Sequence, residues 1–466
     1  MANIDVDKIL LSLGWFGPYQ RQQCVYFAFA MTGAAYAILA YTFAAYRPPF
    51  SCNVPVNNSL VASVVNGTDI QLIGSTCEIE VVRNNTNSSG HDVLMTLPCH
   101  YGYNYDIHQD TVITEWDLVC QSEGKGGLTQ SMVTFGQMFG SVVFLPLADR
   151  YGRKKIMISV GFSMFLVATL ISLSPNYYVY IAMRFLTGAT LEGYSMTMYT
   201  YIFEMFPGKY RSYIGIFGAF WWSTNVITVT AFGYGLQNYS WRILHLALGL
   251  MAFINLFIFW LCDESLRWLV ANGKMKEAQK LIQKIAMKNK KDPEKIVPLL
   301  SSLDSEVENG VGYEKEEKIN NDIHVTSPVN TVSSPIDPVT SVDHVTSEVN
   351  PVTSEVNPVT SRSSNNPTVL DIFRNAFVCK IALIWMFTWF TNGMTYYGLL
   401  YSSVQLEGSR FLNYFVNGLV EYPSCVVFAI LVNMNSISRK KLTIGFHLLT
   451  GIAMILSVVL ISFRDN

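Results

Sequence analysis

Apolar residues fall along this chain in blocks of roughly 20 or more, the length that crosses about 30 Å of hydrocarbon as a helix. Inside lipid every backbone polar group must be satisfied within the segment, so the blocks predict helices. About nine are predicted, with ends good to a few residues. They are Gln23–Tyr46, Leu128–Ala148, Ile156–Leu173, Tyr177–Phe203, Tyr213–Leu236, Trp241–Cys262, Phe377–Ser402, Tyr414–Asn433 and Leu442–Phe463. The expected fold class is an all-α membrane protein. Its segments are an N-terminal tail 1–22, a first span 23–46, a long loop 47–127, spans two to six over 128–262, a helical segment 263–324, an insert 325–361, a linker 362–374, and spans seven to nine over 375–466. The first block is too long for a signal-peptide core and lacks a small-residue cleavage site after it.

Basic residues orient the blocks. Arg150, Arg153, Lys154 and Lys155 follow the second, Lys209 and Arg211 the fourth, and Arg439, Lys440 and Lys441 the eighth, which puts those loops in the cytoplasm with Lys8 and Arg21. The 47–127 loop carries only Arg47, Arg83 and Lys125 and is expected outside. It also holds acceptor sequons at Asn57, Asn66, Asn84 and Asn87, and Cys52, Cys77, Cys99 and Cys120, half of the 8 cysteines. Glycosylation and disulfides both belong to the oxidising, lumenal side. Four cysteines allow three pairings, and spacing does not choose among them. Asn238 is a further sequon, too near the bilayer to count.

The segment after span six is predicted cytoplasmic. Leu281, Ile282 and Ile285 share one face of an amphipathic helix, with Lys280, Lys284 and Lys288 on another. Composition then shifts: Ser347–Thr353 and Ser354–Thr360 are identical heptapeptides. Pro351 and Pro358 and the lack of large apolar residues exclude a coiled coil, so 325–361 reads as a disordered spacer.

Composition agrees: 50% of residues are hydrophobic and 14% charged, where a soluble chain carries about a quarter charged. No nucleophile–base set, phosphate loop or metal-ligand spacing is present, and the 7 histidines are scattered, so neither enzyme nor cofactor is expected. The partners implied are a lipid bilayer and a small organic solute, with no nucleic acid; a homo-oligomer and a coupling ion stay open.

Several motifs carry chemistry. Asp149-Arg150-Tyr151-Gly152-Arg153-Lys154 follows span two; Glu204, at the end of span four, and Arg211, seven residues on, are expected to form a second cytoplasmic charge pair, with Arg184 early in that span; Glu264-Ser265-Leu266-Arg267-Trp268-Leu269 follows span six. These form a candidate charge latch, with Asp149 at a helix end able to face the positive N-terminus of another helix and the arginines able to pair with carboxylates. In the long loop, Pro98-Cys99, Tyr105-Asp106 and Ile113-Thr114-Glu115-Trp116-Asp117-Leu118-Val119-Cys120 stand out. Later come Thr368-Val369-Leu370-Asp371-Ile372-Phe373-Arg374 and Leu419-Val420-Glu421-Tyr422-Pro423. Together these resemble the organic cation, anion and carnitine transporters (solute carrier family 22 type) of the major facilitator superfamily, over nearly the whole chain except the insert.

The resemblance implies a major facilitator bundle at the plasma membrane, carrying organic cations or carnitine-like zwitterions by alternating access. Gating then falls to Asp149, Arg150, Gly152, Arg153, Lys154, Arg184, Glu204, Arg211, Glu264 and Arg267. Substrate binding falls to the intramembrane acids Glu192 and Glu421 with Tyr36, Tyr199, Trp222, Trp389 and Tyr396. An intramembrane acid costs about 2.5–3.5 kcal/mol facing lipid, so both should face a cavity or partner. Departures are Leu145, where the signature has glycine, Asp263 and Leu266 in place of prolines, and Asn435 for the acid of the second-half signature. The family has twelve spans and about nine are read here, so a truncated, non-transporting or regulatory member is the first rival and an organic anion carrier the second. Glycosidase treatment of protein made in eukaryotic cells should increase its gel mobility. No shift, together with protease protection of the 47–127 loop on intact cells, would invert this topology.

Overall fold

The computed structural model describes residues 6–54, 70–84, 91–106, 110–298, 300, 371–406, 408–434 and 438–464. The 325–361 insert, Asn435 and the sequons at Asn57, Asn66 and Asn87 lie outside them. The chain divides into two compact units, residues 3–304 with 397–466, and residues 1–2 with 305–396. Each is described by itself.

The helices are α1 (Val6–Ser12), α2 (Pro18–Ala44), α3 (Glu123–Tyr151), α4 (Arg153–Leu170), α5 (Tyr177–Glu204), α6 (Arg211–Gly235), α7 (Trp241–Met251), α8 (Ile254–Leu261), α9 (Leu266–Ala271), α10 (Met275–Lys288), α11 (Ala376–Ser403), α12 (Arg410–Asn433) and α13 (Arg439–Arg464). The fold is a bundle of helices, as expected, but its spans differ from the expected nine. Among the described residues 7 helices are long and apolar enough to cross a membrane. The fourth block forms a 28-residue helix, α5, whose apolar run is diluted by Arg184, Glu192 and several threonines. The sixth is split, because the helix is interrupted at Ala252 and Phe253 between α7 and α8. The first span begins earlier than expected, at Pro18, whose fixed φ suits the first helical turn.

In the larger unit α2 packs on α5, α6 and α7, and α5 lies between α3 and α4. Helix α3 bears exposed Phe135, Met138, Phe139 and Val142, a face suited to lipid, with Phe135 and Phe139 at its edge against Phe185 of α5. Between α3 and α5 the backbones touch. A Cβ at Gly140 would stand 2.2 Å from the Ala189 carbonyl oxygen, and one at Gly188 2.0 Å from that of Val133. Apolar burial gives helices little reason to associate in lipid, so such close contact between small residues carries the packing. The contact also resolves the Leu145 departure. Leu145 is exposed, and close approach is made earlier on the helix, at Gly140 and Gly136.

The long loop is built around β-strands. β1 (Phe50–Cys52) pairs antiparallel with β5 (Tyr103–Tyr105), and β2 (Ile70–Gly74), β3 (Glu78–Asn84) and β4 (His91–Pro98) form an antiparallel sheet with β3 central. Asn84 ends β3. The disulfides join Cys52 to Cys99 and Cys77 to Cys120, selecting one of the three pairings.

The Glu115-Trp116-Asp117 stretch fastens this loop to the bundle. Glu115 accepts a 2.6 Å hydrogen bond from Trp241 Nε1 and pairs with Arg242, whose guanidinium also reaches the carbonyls of Ser172 and Ser174. Trp116 packs on Tyr180 and Trp241, and Tyr105 donates to Asp117 at 2.9 Å.

Gly140→Leu should force α3 and α5 apart and sharply lower the yield of monodisperse protein, whereas Gly127→Ala, with nothing within 4 Å of its Cβ, should leave it unchanged. Size-exclusion profiles of the two variants check this, and an unaffected Gly140→Leu protein would refute the close contact.

Candidate functional site

The charged motifs converge at the end of the bundle opposite the disulfide loop. Helix α4 starts at Arg153 after Gly152, which adopts φ +107°, a conformation that side chains resist. The absent side chain also makes room, since a Cβ there would stand 2.4 Å from Glu264 Oε2. Glu264 is thereby docked on the N-terminus of α4: its Oε1 accepts from the backbone N–H of Lys154 at 3.1 Å and of Ser265 at 3.0 Å. A carboxylate at that position meets unsatisfied N–H groups and the positive end of the helix dipole.

Asp149, assigned that kind of role from the sequence, has another partner. Its carboxylate is 64% exposed and pairs with Arg153 at 2.7 Å, while its backbone carbonyl accepts from Trp268 Nε1. Arg153 also holds Glu204 at 3.0 Å. The expected pairing of Glu204 with Arg211 is therefore replaced: the nearer cation takes Glu204, and Arg211 donates to the Phe206 carbonyl. Arg150 lies over the Tyr151 ring, and Lys154 serves through its backbone.

Residues not singled out from the sequence complete the cluster. Asp7, on α1, pairs with Arg267 and accepts from the Gly208 amide, and Arg267 in turn donates to the Glu204 carbonyl. Burial would raise the Asp7 carboxyl, but the Arg267 hydrogen bond, the Gly208 amide and the charges of Arg267 and Arg211 outweigh it and hold it below its ordinary value. A depressed carboxyl stabilises the fold fully above its unfolded pKa of about 3.9, and that contribution is lost as pH falls through the lower folded value. The contact is thus constant across neutral pH. Nearby, Tyr19 and Lys284 both bind Asp263, and Asn289 bridges Leu13, Tyr19 and Gln20, fixing α10 to the start of α2.

Deeper in the bundle Arg184 is fully buried, donates to Gln130 Oε1 at 2.9 Å and lies 4.2 Å from the centre of the Tyr41 ring. Glu192, two turns further along α5, accepts from Gln137 on α3 at 3.3 Å. Glu421, on α12, accepts from Ser223 on α6 at 2.9 Å, and the adjacent Tyr422 and Thr224 hydroxyls are 2.8 Å apart. The two acids thus sit on different helix seams. Tyrosines lie between: Tyr199 and Tyr397 interact electrostatically with Glu192, and Tyr414 with Glu421 and Tyr397. Tyr36 donates to Thr228 at 2.8 Å, and Trp222 is half-buried on α6. Trp389 and Tyr396 belong to the other compact unit. Tyr397 and Tyr414 escaped the sequence reading because aromatic residues in apolar helices carry no sign of which face they occupy.

The family description "Sugar (and other) transporter" matches residues 59–322. Among curated proteins, an organic cation transporter-like protein of Drosophila melanogaster is 27% identical over 97% of this chain and 74% of its own length. Solute carrier family 22 member 1 of Oryctolagus cuniculus is 26% identical, over 98% of this chain and 76% of its own. Among solved structures, the xylose transporter XylE from E. coli aligns with TM-score 0.39 and 14% identity, over 61% of this chain and 58% of that one.

Cys262, buried beside Glu264, is a native reporter of the charged cluster. Glu264→Gln removes a charge from a helix N-terminus and should speed maleimide labelling of Cys262 about two- to fivefold, as a loss of roughly 0.3–1 kcal/mol implies. Asp149→Asn, at an exposed pair, should change it less. Labelling from the side predicted to be cytoplasmic, with Cys262 identified by mass spectrometry, checks the order, and the reverse ranking would restore Asp149 as the principal latch.

Proposed function

The chain belongs to the sugar (and other) transporter family, and on that premise we propose that it carries small organic cations or zwitterions across the plasma membrane by alternating access. Members of the family are membrane transporters, not enzymes; what is proposed is the substrate class, the membrane and the residues. The single observation that carries the reading is the pair of intramembrane carboxylates, Glu192 and Glu421, set among tyrosines. A carboxylate in a medium of low dielectric attracts an ammonium group far more strongly than in water, and each aromatic face adds about 0.5–2 kcal/mol. The names of the relatives point the same way.

Each half-site also has a mechanical attachment. Glu192 lies on α5, whose far end carries Glu204 into the charged cluster. Glu421 lies on α12 and bridges to α6. Rocking of one half against the other would change the seam between α6 and α12 while the charged cluster keeps α4, α5 and α9 together as one body. In this reading the cluster end faces the cytoplasm and the disulfide loop faces outside. Arg184 is the group that would favour an anion carrier, but it is fully buried and covered by Tyr41.

Uptake of labelled tetraethylammonium, carnitine and an aromatic anion by cells expressing the full chain tests the class. Cation or zwitterion uptake is expected, and Glu421→Gln should reduce it about tenfold or more, as loss of a charge partner of 1.4 kcal/mol or above requires. Uptake of the anion alone would overturn the substrate class, and unchanged cation uptake by a surface-expressed Glu421→Gln variant would remove Glu421 from the site.

A further inference from the structure

At the disulfide-loop end of the bundle, α2, α6 and α12 meet in a cluster of rings. Phe411 stacks on Phe43, with centroids 5.5 Å apart and planes 16° apart, and meets Tyr234 edge-on at 5.5 Å; Phe43 also contacts Tyr414 at 5.0 Å. Into this cluster α12 inserts its first residue, Arg410. Its guanidinium carbon lies 4.2 Å from the centre of the Tyr46 ring and 4.7 Å from that of Phe411. The cluster closes one end of the α6–α12 seam. Along the seam Gly418 abuts Val226 and Ile227, Glu421 meets Ser223, and Tyr422 meets Thr224 and, at 5.9 Å, Phe220. The seam is shut at the ring cluster.

We propose that this ring cluster is a second, outer binding site for organic ammonium cations, and that Arg410 is a tethered cation that occupies it and keeps the outer end shut. The faces of Tyr46 and Phe411 attract any cation that lacks a tight hydration shell. A guanidinium is weakly hydrated and suits such faces, as does a quaternary ammonium. An arriving organic cation therefore competes with Arg410 for the same rings. When it wins, α12 loses its hold on the Tyr46 segment and the outer end of the seam is released. Arrival of substrate and opening of the path would then be one event, since a ligand shifts a conformational equilibrium only by binding its two states differently. Arg410 acts here as a positioning residue: it touches the gate rings, not the carboxylates of the inner site.

The inference rests on the reading of the chain as an organic-cation carrier, but its test reads the gate without transport. Cys425 lies one turn beyond Glu421 from the ring cluster and faces Ser223, so an outside reagent reaches it only through an open seam. Intact cells expressing the full chain are treated with a membrane-impermeant maleimide, and labelling of Cys425 is measured by mass spectrometry against a Cys425→Ser control. Arg410→Gln should speed labelling about fivefold, the population change expected when one cation–aromatic contact is lost. Arg410→Lys should stay nearer the parent. Millimolar tetraethylammonium outside should speed labelling of the parent and leave Arg410→Gln unchanged. If Arg410→Gln does not reach the surface, Tyr46→Leu removes the same face and takes its place. Equal labelling of parent and variant overturns the gate, and a faster variant beside a parent indifferent to tetraethylammonium overturns the cation site. A response to tetraethylammonium in cells that take up no cation would leave the cage standing and bring down the transport reading alone.

Discussion

The contact of α3 with α5, backbone to backbone through Gly136, Gly140 and Gly188, is the constraint on which the rest of the larger unit depends. Three polar pairs are hung on α5. Arg184 and Gln130 meet across that contact near one end, Glu192 and Gln137 meet across it in the middle, and Glu204 leaves its far end to meet Arg153. Were the two helices held apart by ordinary side chains, three polar pairs would be stretched together. In hydrocarbon an unpaired polar group has no water to turn to, so glycine packing and the buried hydrogen bonds support each other.

Two fastenings of different chemistry close the ends of this body. At the disulfide-loop end, Glu115 and Trp116 seize Trp241, Arg242 and Tyr180, a mixed aromatic and ionic clamp. At the opposite end the fastening is carboxylate on helix N-terminus and guanidinium on carboxylate, with α1 drawn in through Asp7. The two differ in how they respond to their surroundings. Exposed ion pairs weaken with salt, whereas ring packing hardly does.

Much of this was legible in the residues. Blocks of apolar residues gave α2, α3, α4, α6, α11, α12 and α13 to within a few positions, because a span of hydrocarbon imposes a length. The motif residues Gly152, Arg153, Glu204, Glu264 and Arg267 do assemble in one cluster. Their pairing was not legible: which acid caps α4 depends on where α9 docks, and Asp7 meets Arg267 from 260 positions away. The sheet in the long loop had a signal that went unread. Glu78 and Glu80 alternate with Ile79 and Val81, the period of a half-buried strand, and the register shift at Val81 and Val82 explains why both of those are buried. Polar sequons and cysteines drew the eye to chemistry instead of periodicity. The break between α7 and α8 had no proline to announce it.

The connectivity of the two disulfides has a consequence for how the protein is made. In chain order the four cysteines are Cys52, Cys77, Cys99 and Cys120, and the bonds join first to third and second to fourth. The bridges interlock, so neither can be completed by neighbours in the order of synthesis. As the loop is synthesised, Cys52 and Cys77 come out first, and a bond between them would be a wrong one. The correct partner of Cys52 arrives only after β2, β3 and β4 have been synthesised, and that of Cys77 only after β5 as well. Oxidation faster than synthesis traps the consecutive pair, and escape requires a thiolate to attack it and pass the bond onward. Correct pairing in this loop therefore depends on exchange of disulfides as well as on their formation.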